Sequence, residues 1–309
     1  MKRVYLNNIE FYLPKQKESN IKFFKKNKKL FEKIGVKNRR VVKKNVYSND
    51  LAIKSSQKVI RKVNKEKIDF LIFCTQTGKF NIPTNACILH DKLRLKKGTG
   101  AYDINLGCSA YPYLLSIAKS LIVSKQAKNI LLVTSDTYSK FIRKSDLATR
   151  LIFSDGSTAS LVSESKSKDS FEILDFGFGT DGSGYKEFII EKKNSNFIKM
   201  NGPKIYEFTL KKIPDSINKF LKKNRVNKKK IDYFFFHQAS KIVVESLKRK
   251  LDLPNDKVIL DMEQTGNTVS STIPLALKRN HKILKKGSLI LLAGFGVGLS
   301  WGIALIKKT

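Results

Sequence analysis

Three cysteines in 309 residues, an odd number, do not make a disulfide framework. With no such framework, a reducing cytoplasm is the expected compartment. Histidines also number three. Cys87 and His90 are spaced for a shared helix face, but two ligands with no third nearby make no metal site. No stretch approaches the roughly 18 to 20 apolar residues of a membrane span. The opening Met1-Lys-Arg-Val-Tyr-Leu-Asn-Asn lacks the unbroken apolar core of a signal peptide. Acidic residues are scarce, 26 against 61 Lys and Arg, for a net charge of +35. The basic residues are spread along the whole chain. They fit either an acidic partner or a lysine-rich but otherwise ordinary surface. Nucleic acid is a remote alternative: no recognised binding motif and no basic helix interleaved with aromatics occurs.

What is present is a pattern that recurs. Lys65-Glu-Lys-Ile-Asp-Phe-Leu-Ile-Phe-Cys has a counterpart in Lys228-Lys-Lys-Ile-Asp-Tyr-Phe-Phe-Phe-His, about 160 residues on. Both are polar lead-ins to short Ile- and Phe-rich runs, which read as strands buried on two faces. Tyr102-Asp-Ile-Asn-Leu-Gly-Cys108 and Leu260-Asp-Met-Glu-Gln-Thr-Gly-Asn267 each lead into an apolar helix. Asn129-Ile-Leu-Leu-Val-Thr-Ser and Ser288-Leu-Ile-Leu-Leu-Ala-Gly form a third pair. Strands alternating with helices predict an α/β architecture with parallel sheet. An internal duplication follows, with halves 1–165 and 166–309 divided in the polar stretch Ser163 to Ser170. Helices are predicted over Ser48 to Val63, Ser109 to Ser124, Ile205 to Leu221 (kinked at Pro214) and Ser240 to Leu251, the last with Ser240 as N-cap.

In the duplicated plan Cys108 and Asn267 occupy equivalent strand-to-helix turns, and His237 ends a buried strand, where α/β sites form. Backbone N–H groups and the helix dipole at a helix start favour an anion, here a thiolate. Gly107 suits a tight turn, and Pro112 sits in the first helical turn, where its missing N–H costs little. Taken alone, each residue also has a bland reading: a buried structural cysteine, a core histidine, a Gly-Asn turn. Cys74 takes that reading. His281, among lysines, is expected to be solvated. Gly294-Phe-Gly296-Val-Gly298 precedes a strand instead of a helix, which rules out a dinucleotide fingerprint.

Taken together, these residues resemble the thiolase superfamily, most closely the β-ketoacyl-acyl carrier protein synthase III group, over nearly the whole chain. The resemblance rests on Ile34-Gly-Val-Lys-Asn-Arg-Arg, the Cys108 segment, Ile152-Phe-Ser-Asp-Gly-Ser, His237-Gln-Ala, Gly266-Asn-Thr and Phe295-Gly-Val-Gly-Leu-Ser-Trp301-Gly, in that order. It implies a five-layered αβαβα fold and a homodimer. It makes Cys108 the nucleophile, His237 and Asn267 the decarboxylation pair, and the backbone N–H groups of Cys108 and Val297 the oxyanion hole. Met200, Gly202, Tyr206, Ser240 and Phe295 would line the substrate channel, and Ile82 would close the partner subunit's acyl tunnel. Lys241 is a candidate contact for acyl carrier protein. The implied substrates are acyl and malonyl thioesters of coenzyme A or phosphopantetheine, with no tightly bound cofactor and no metal. The expected reaction is a decarboxylative Claisen condensation. The alternative within the same scaffold is acyl transfer to a hydroxyl or amine without decarboxylation. Three departures stand out. Lys29 falls where the family carries a Trp that stacks on the coenzyme A adenine. Val297 replaces a usual glycine, and Leu147 stands where a basic residue is usual, with Lys144 and Arg150 nearby.

Overall fold

Apolar runs such as Phe70-Leu-Ile-Phe-Cys and Tyr233-Phe-Phe-Phe can bury both faces only between two other layers. In the computed structural model, which describes residues 2–24, 28–191 and 196–309, they do so. Nine strands form one sheet: β1 (Tyr5–Tyr12), β2 (Phe70–Cys74), β3 (Gly100–Ile104), β4 (Asn129–Asp136), β5 (Gly156–Ser163), β6 (Phe171–Thr180), β7 (Tyr233–Phe236), β8 (Leu289–Gly296) and β9 (Ser300–Lys308). Their order is β7-β8-β9-β6-β1-β5-β4-β2-β3. The β7–β8, β4–β2 and β2–β3 pairs are parallel. The remaining pairs are antiparallel, including β6–β1 at the middle. The order is symmetric about that central pair.

Symmetry fails at one place. The segment expected to mirror β3, around Leu260-Asp-Met, is reduced to a single bridge, Phe234 to Val258. A side chain takes over the ladder's work there. Gln238 donates from Nε2 to the Ile259 carbonyl at 3.1 Å, and its Oε1 accepts from the Asp261 N–H at 2.7 Å. With those backbone groups satisfied, further strand pairing is not needed.

The helices that matter are α1 (Ser48–Ile60), α2 (Asn85–Leu93), α3 (Ala110–Val123), α4 (Gly202–Lys223), α5 (Lys241–Lys250) and α6 (Thr272–Arg279). Strand alternation sorts them into layers. Ile72 and Cys74 of β2 and Phe235, Ile290 and Leu292 of β7 and β8 point to a shared core with α3 and α6. Leu71 and Phe73 face α1 and α2. Phe234, Phe236, Leu291 and Ala293 face α4 and α5. Helix, sheet, helix, sheet, helix: these are the five layers, with α3 and α6 in the middle. Burying one such Leu or Phe contributes roughly 1.5–3 kcal/mol, so the central layer is a main source of stability. Pro214 lies buried inside α4, which continues past it. Ser240 precedes α5, but its side chain caps no backbone N–H, contrary to the expectation for an N-cap serine.

Candidate active site

Cys108 stands two residues before α3, at the end of the turn that leaves β3. Three glycines make room for it. A Cβ on Gly296 would lie 2.9 Å from the Cys108 Cβ, and one on Gly294 would lie 2.6 Å from the Cys108 carbonyl oxygen. A Cβ on Gly107 would meet Gln76 Oε1 at 2.5 Å and Val297 Cγ1 at 2.7 Å. The β8–β9 hairpin is tied to the helix start by the Ser109–Ser300 hydroxyl pair at 2.7 Å, while Ser300 Oγ also reaches the Val297 carbonyl at 2.9 Å. This sets the Val297 backbone beside the Cys108 turn. Burial, reinforced by the Asp136 carboxylate, pushes the Cys108 thiol well above its ordinary pKa. The resting group is therefore a protonated thiol, not the thiolate that a helix start alone would favour.

His237 and Asn267 arrive from the other half of the sheet. His237 follows β7 and its backbone N–H donates to the Ala293 carbonyl of β8 at 2.8 Å. Its imidazole lies edge-on to Phe295, and burial holds its pKa down at about 3, so it is neutral. Nδ1 lies 2.7 Å from Thr272 Oγ1, whose hydroxyl is also 3.1 Å from the Val269 carbonyl. With the hydroxyl donating to Val269, Nδ1–H donates to Thr272 and Nε2 is left as an acceptor. Asn267 Nδ2 is 3.3 Å from that Nε2. The amide is aimed by its other end, because Oδ1 accepts from the Val269 N–H at 2.8 Å. The Asn267 backbone itself pairs with Phe153: its N–H donates to Ile152 O at 3.0 Å and its carbonyl accepts from Ser154 N–H at 2.8 Å. The Ile-Phe-Ser-Asp-Gly segment thus seats the asparagine.

The three side chains line one cavity of about 620 Å³. Met200, Gly202, Tyr206, Ser240, Phe295 and Val297 line it too. Phe153 and Phe188, which sequence reasoning did not single out, complete its apolar wall. Lys241 does not line it. It borders an adjoining basin with Lys29, Lys33 and Arg249, and Lys33 belongs to both. Ile82 lies outside the cavity, 88% exposed on the loop before α2.

Two family models match the chain: the 3-oxoacyl-[acyl-carrier-protein] synthase III model over residues 102–182 and the C-terminal model of the same enzyme over 221–308. A β-ketoacyl-[acyl-carrier-protein] synthase III of Clostridium novyi is 33% identical over 99% of both chains. The chain belongs to the 3-oxoacyl-[acyl-carrier-protein] synthase III family. The synthase III of Campylobacter fetus is likewise 33% identical over 99% of each chain. Among solved structures, a 3-oxoacyl-(acyl-carrier-protein) synthase III superposes with a TM-score of 0.93 at 32% identity over 99% of both chains. That of Aquifex aeolicus gives 0.90 at 28% over 98% of this chain and 99% of its own.

His281 is not simply solvated: its Nε2 is 2.6 Å from Lys308 Nζ and its ring meets Phe171 edge-on. Lys308 is itself buried in the sheet's last strand, so the contact is enforced by the fold. Cys74 is buried, with Sγ 3.0 Å from the Leu106 carbonyl. Cys87 is exposed, and among the described residues no His, Cys, Asp and Glu cluster could hold a metal. Thr272, Ser270 and Asp136 carry little sequence signal beyond an acidic residue closing the buried run Leu131-Leu-Val-Thr-Ser-Asp136.

Proposed function

We propose that this synthase III family member condenses an acyl thioester with a malonyl thioester, using Cys108, His237 and Asn267. What carries the reading is that a thiol, a neutral imidazole and an aimed amide converge on one apolar cavity. In the first stage Cys108 Sγ attacks the acyl carbonyl while His237 Nε2 takes the thiol proton and passes it to the departing thiol. The N–H groups of Cys108 and Val297 hold the oxyanion. In the second stage a malonyl thioester enters. In the other neutral tautomer, reached by losing the Nδ1 proton to water and taking one from water at Nε2, the Thr272 hydroxyl turns from Val269 to donate to Nδ1. Nε2–H and Asn267 Nδ2–H then donate to the malonyl thioester oxygen. Carbon dioxide leaves, and the enolate carbon attacks acyl-Cys108. The C–S bond breaks, the β-ketoacyl product leaves on its own carrier, and the cysteine thiolate takes a proton from solvent water. The non-decarboxylating alternative makes no use of an amide donor placed beside Nε2.

The acyl donor is best read as a carrier-protein or unusual thioester, with free coenzyme A a poorer fit. Lys29 stands where an adenine-stacking Trp is usual, and the basin beside the cavity, with Lys29, Lys33, Lys241 and Arg249 outweighing Glu32 and Glu245, suits an acidic carrier protein. The protein is read as a homodimer in which each chain comprises halves 1–165 and 166–309. β3 is an edge strand of the sheet, and the exposed Ile82 is available to a neighbour's tunnel. The reading is of a cytoplasmic enzyme; no helix among the described residues is long and apolar enough to cross a membrane. Acyl transfer to Cys108 from acyl-CoA and from acyl-carrier protein, compared at rising salt, tests the donor. Faster, salt-sensitive transfer from the carrier protein is expected; a strong preference for acyl-CoA defeats that assignment. Release of carbon dioxide from malonyl-carrier protein tests the reaction itself.

A further inference from the structure

Beneath the two active-site turns lies a carboxylate that the reaction above does not use. Asp136, the last residue of β4, is fully buried, and no cation pairs with it among the described residues. It accepts from the Gln76 N–H at 2.9 Å, from Thr77 Oγ1 at 3.3 Å and from Thr75 Oγ1 at 3.5 Å, all in the segment after β2. Its shortest bond crosses to the other half of the sheet: Ser270 Oγ donates to Oδ2 at 2.6 Å. Burial lifts the Asp136 carboxyl to about 7, against the opposing pull of Ser270, the Gln76 N–H and Thr77. A buried acid with only neutral donors is costly to keep, and each of its bonds is correspondingly expensive to lose.

Ser270 belongs to the turn Val269–Ser271, which begins two residues after Asn267. Val269 in that turn has φ +56°, a left-handed conformation that a β-branched residue adopts only under constraint. The constraint is visible. Ser270 is tied to Asp136, Ser271 Oγ reaches the Thr134 carbonyl at 3.2 Å, and Thr272 Oγ1 reaches the Val269 carbonyl. In this conformation the Val269 N–H meets Asn267 Oδ1, so Nδ2 is the end left facing His237 and the cavity. With Ser270 and Ser271 anchored below, a Val269 relaxed to its ordinary φ would swing the Asn267–Val269 segment as a unit, and the amide with it, away from His237 Nε2.

We propose that Asp136, acting through Ser270, is a positioning residue that holds Val269 in its left-handed turn and so aims the Asn267 amide at the malonyl thioester. The inference rests on the reading of Asn267 as a donor in the decarboxylation stage. Asp136 touches no substrate; it acts through the turn. It also bonds the Gln76 backbone, and the Gln76 side chain accepts from Tyr138 at 2.5 Å and abuts Gly107, so the same carboxylate borders the nucleophile's turn.

Ser270→Ala removes the tether with little change of shape. Intact mass after exposure to an acyl thioester reads acylation, and carbon dioxide release from malonyl-carrier protein reads the second stage. Ser270→Ala is expected to acylate within about twofold of wild type and to release carbon dioxide at least about tenfold more slowly. Adding Val269→Gly, which makes the left-handed turn intrinsically favourable, is expected to restore most of the loss. Asp136→Asn is expected to depress carbon dioxide release as well, with no further loss when combined with Ser270→Ala. Equal effects on both stages, no effect on either, no recovery with Val269→Gly, or additive losses would each overturn the proposal. Wild-type protein that releases no carbon dioxide would instead overturn the functional reading.

Discussion

The Cys108 turn and the Asn267 turn occupy matching places in the sheet yet are built in opposite ways. The nucleophile's turn is made by absence. A five-residue strand leads straight into it, and Gly107, Gly294 and Gly296 supply only backbone around the sulfur. The amide's turn is made by attachment. Its strand has dwindled to one bridge, its backbone is held at φ +63° at Gly266 and +56° at Val269, and three hydroxyls pin it in place. The contrast follows from what each side chain must do. A nucleophile needs space for an approaching carbonyl. A hydrogen-bond donor needs a fixed direction, which an amide on a free turn lacks.

The comparison breaks most visibly at the sulfur. Cys108→Ala is expected to lose the acyl adduct by intact mass, a fall of at least about a thousandfold in acylation. A persistent adduct would move the nucleophile elsewhere. A sharper probe is Gly107→Ala, whose methyl would press on Val297 and Gln76. Acylation is expected to fall about tenfold by overpacking, and Val297→Gly in the same chain to restore part of it, since the two share one space. Additive losses would show that the glycine matters for backbone freedom and not for room.

A separate effect concerns charge. His237 is neutral and buried, with a folded pKa of about 3 against an ordinary value of 6.5. The unfolded state binds the extra proton between those values, so stability attributable to His237 is lost as pH falls from about 6.5 toward 3. Melting of His237→Gln is expected to be less acid-sensitive than wild type by roughly 3 kcal/mol at pH 4.5. Parallel melting curves from pH 7 to 4.5 would place His237 in a solvated setting.

The fold and the three central residues were legible because their signals are local. Buried Ile and Phe runs mark strands, and a Gly-Cys, a Phe-His and a Gly-Asn stand at strand ends. The expected third strand of the second half was not spared by any local cue, since Gln238, a residue outside it, satisfies its backbone. Nor could the supports of Asn267 be read. Asp136 and Ser270 are 134 residues apart, and nothing in a Val-Ser-Ser-Thr run announces a left-handed valine. The upward push on the Cys108 thiol is illegible for a similar reason: a helix start is visible in sequence, whereas burial and the charge of Asp136 are not.

The most direct test of the account separates its two turns in one enzyme. Asn267→Ala, given an acyl thioester and then malonyl-carrier protein, is expected to carry the acyl group on Cys108 at close to the wild-type rate while β-ketoacyl product forms at least about a hundredfold more slowly. Condensation at near wild-type rate would contradict the assignment of Cys108, His237 and Asn267.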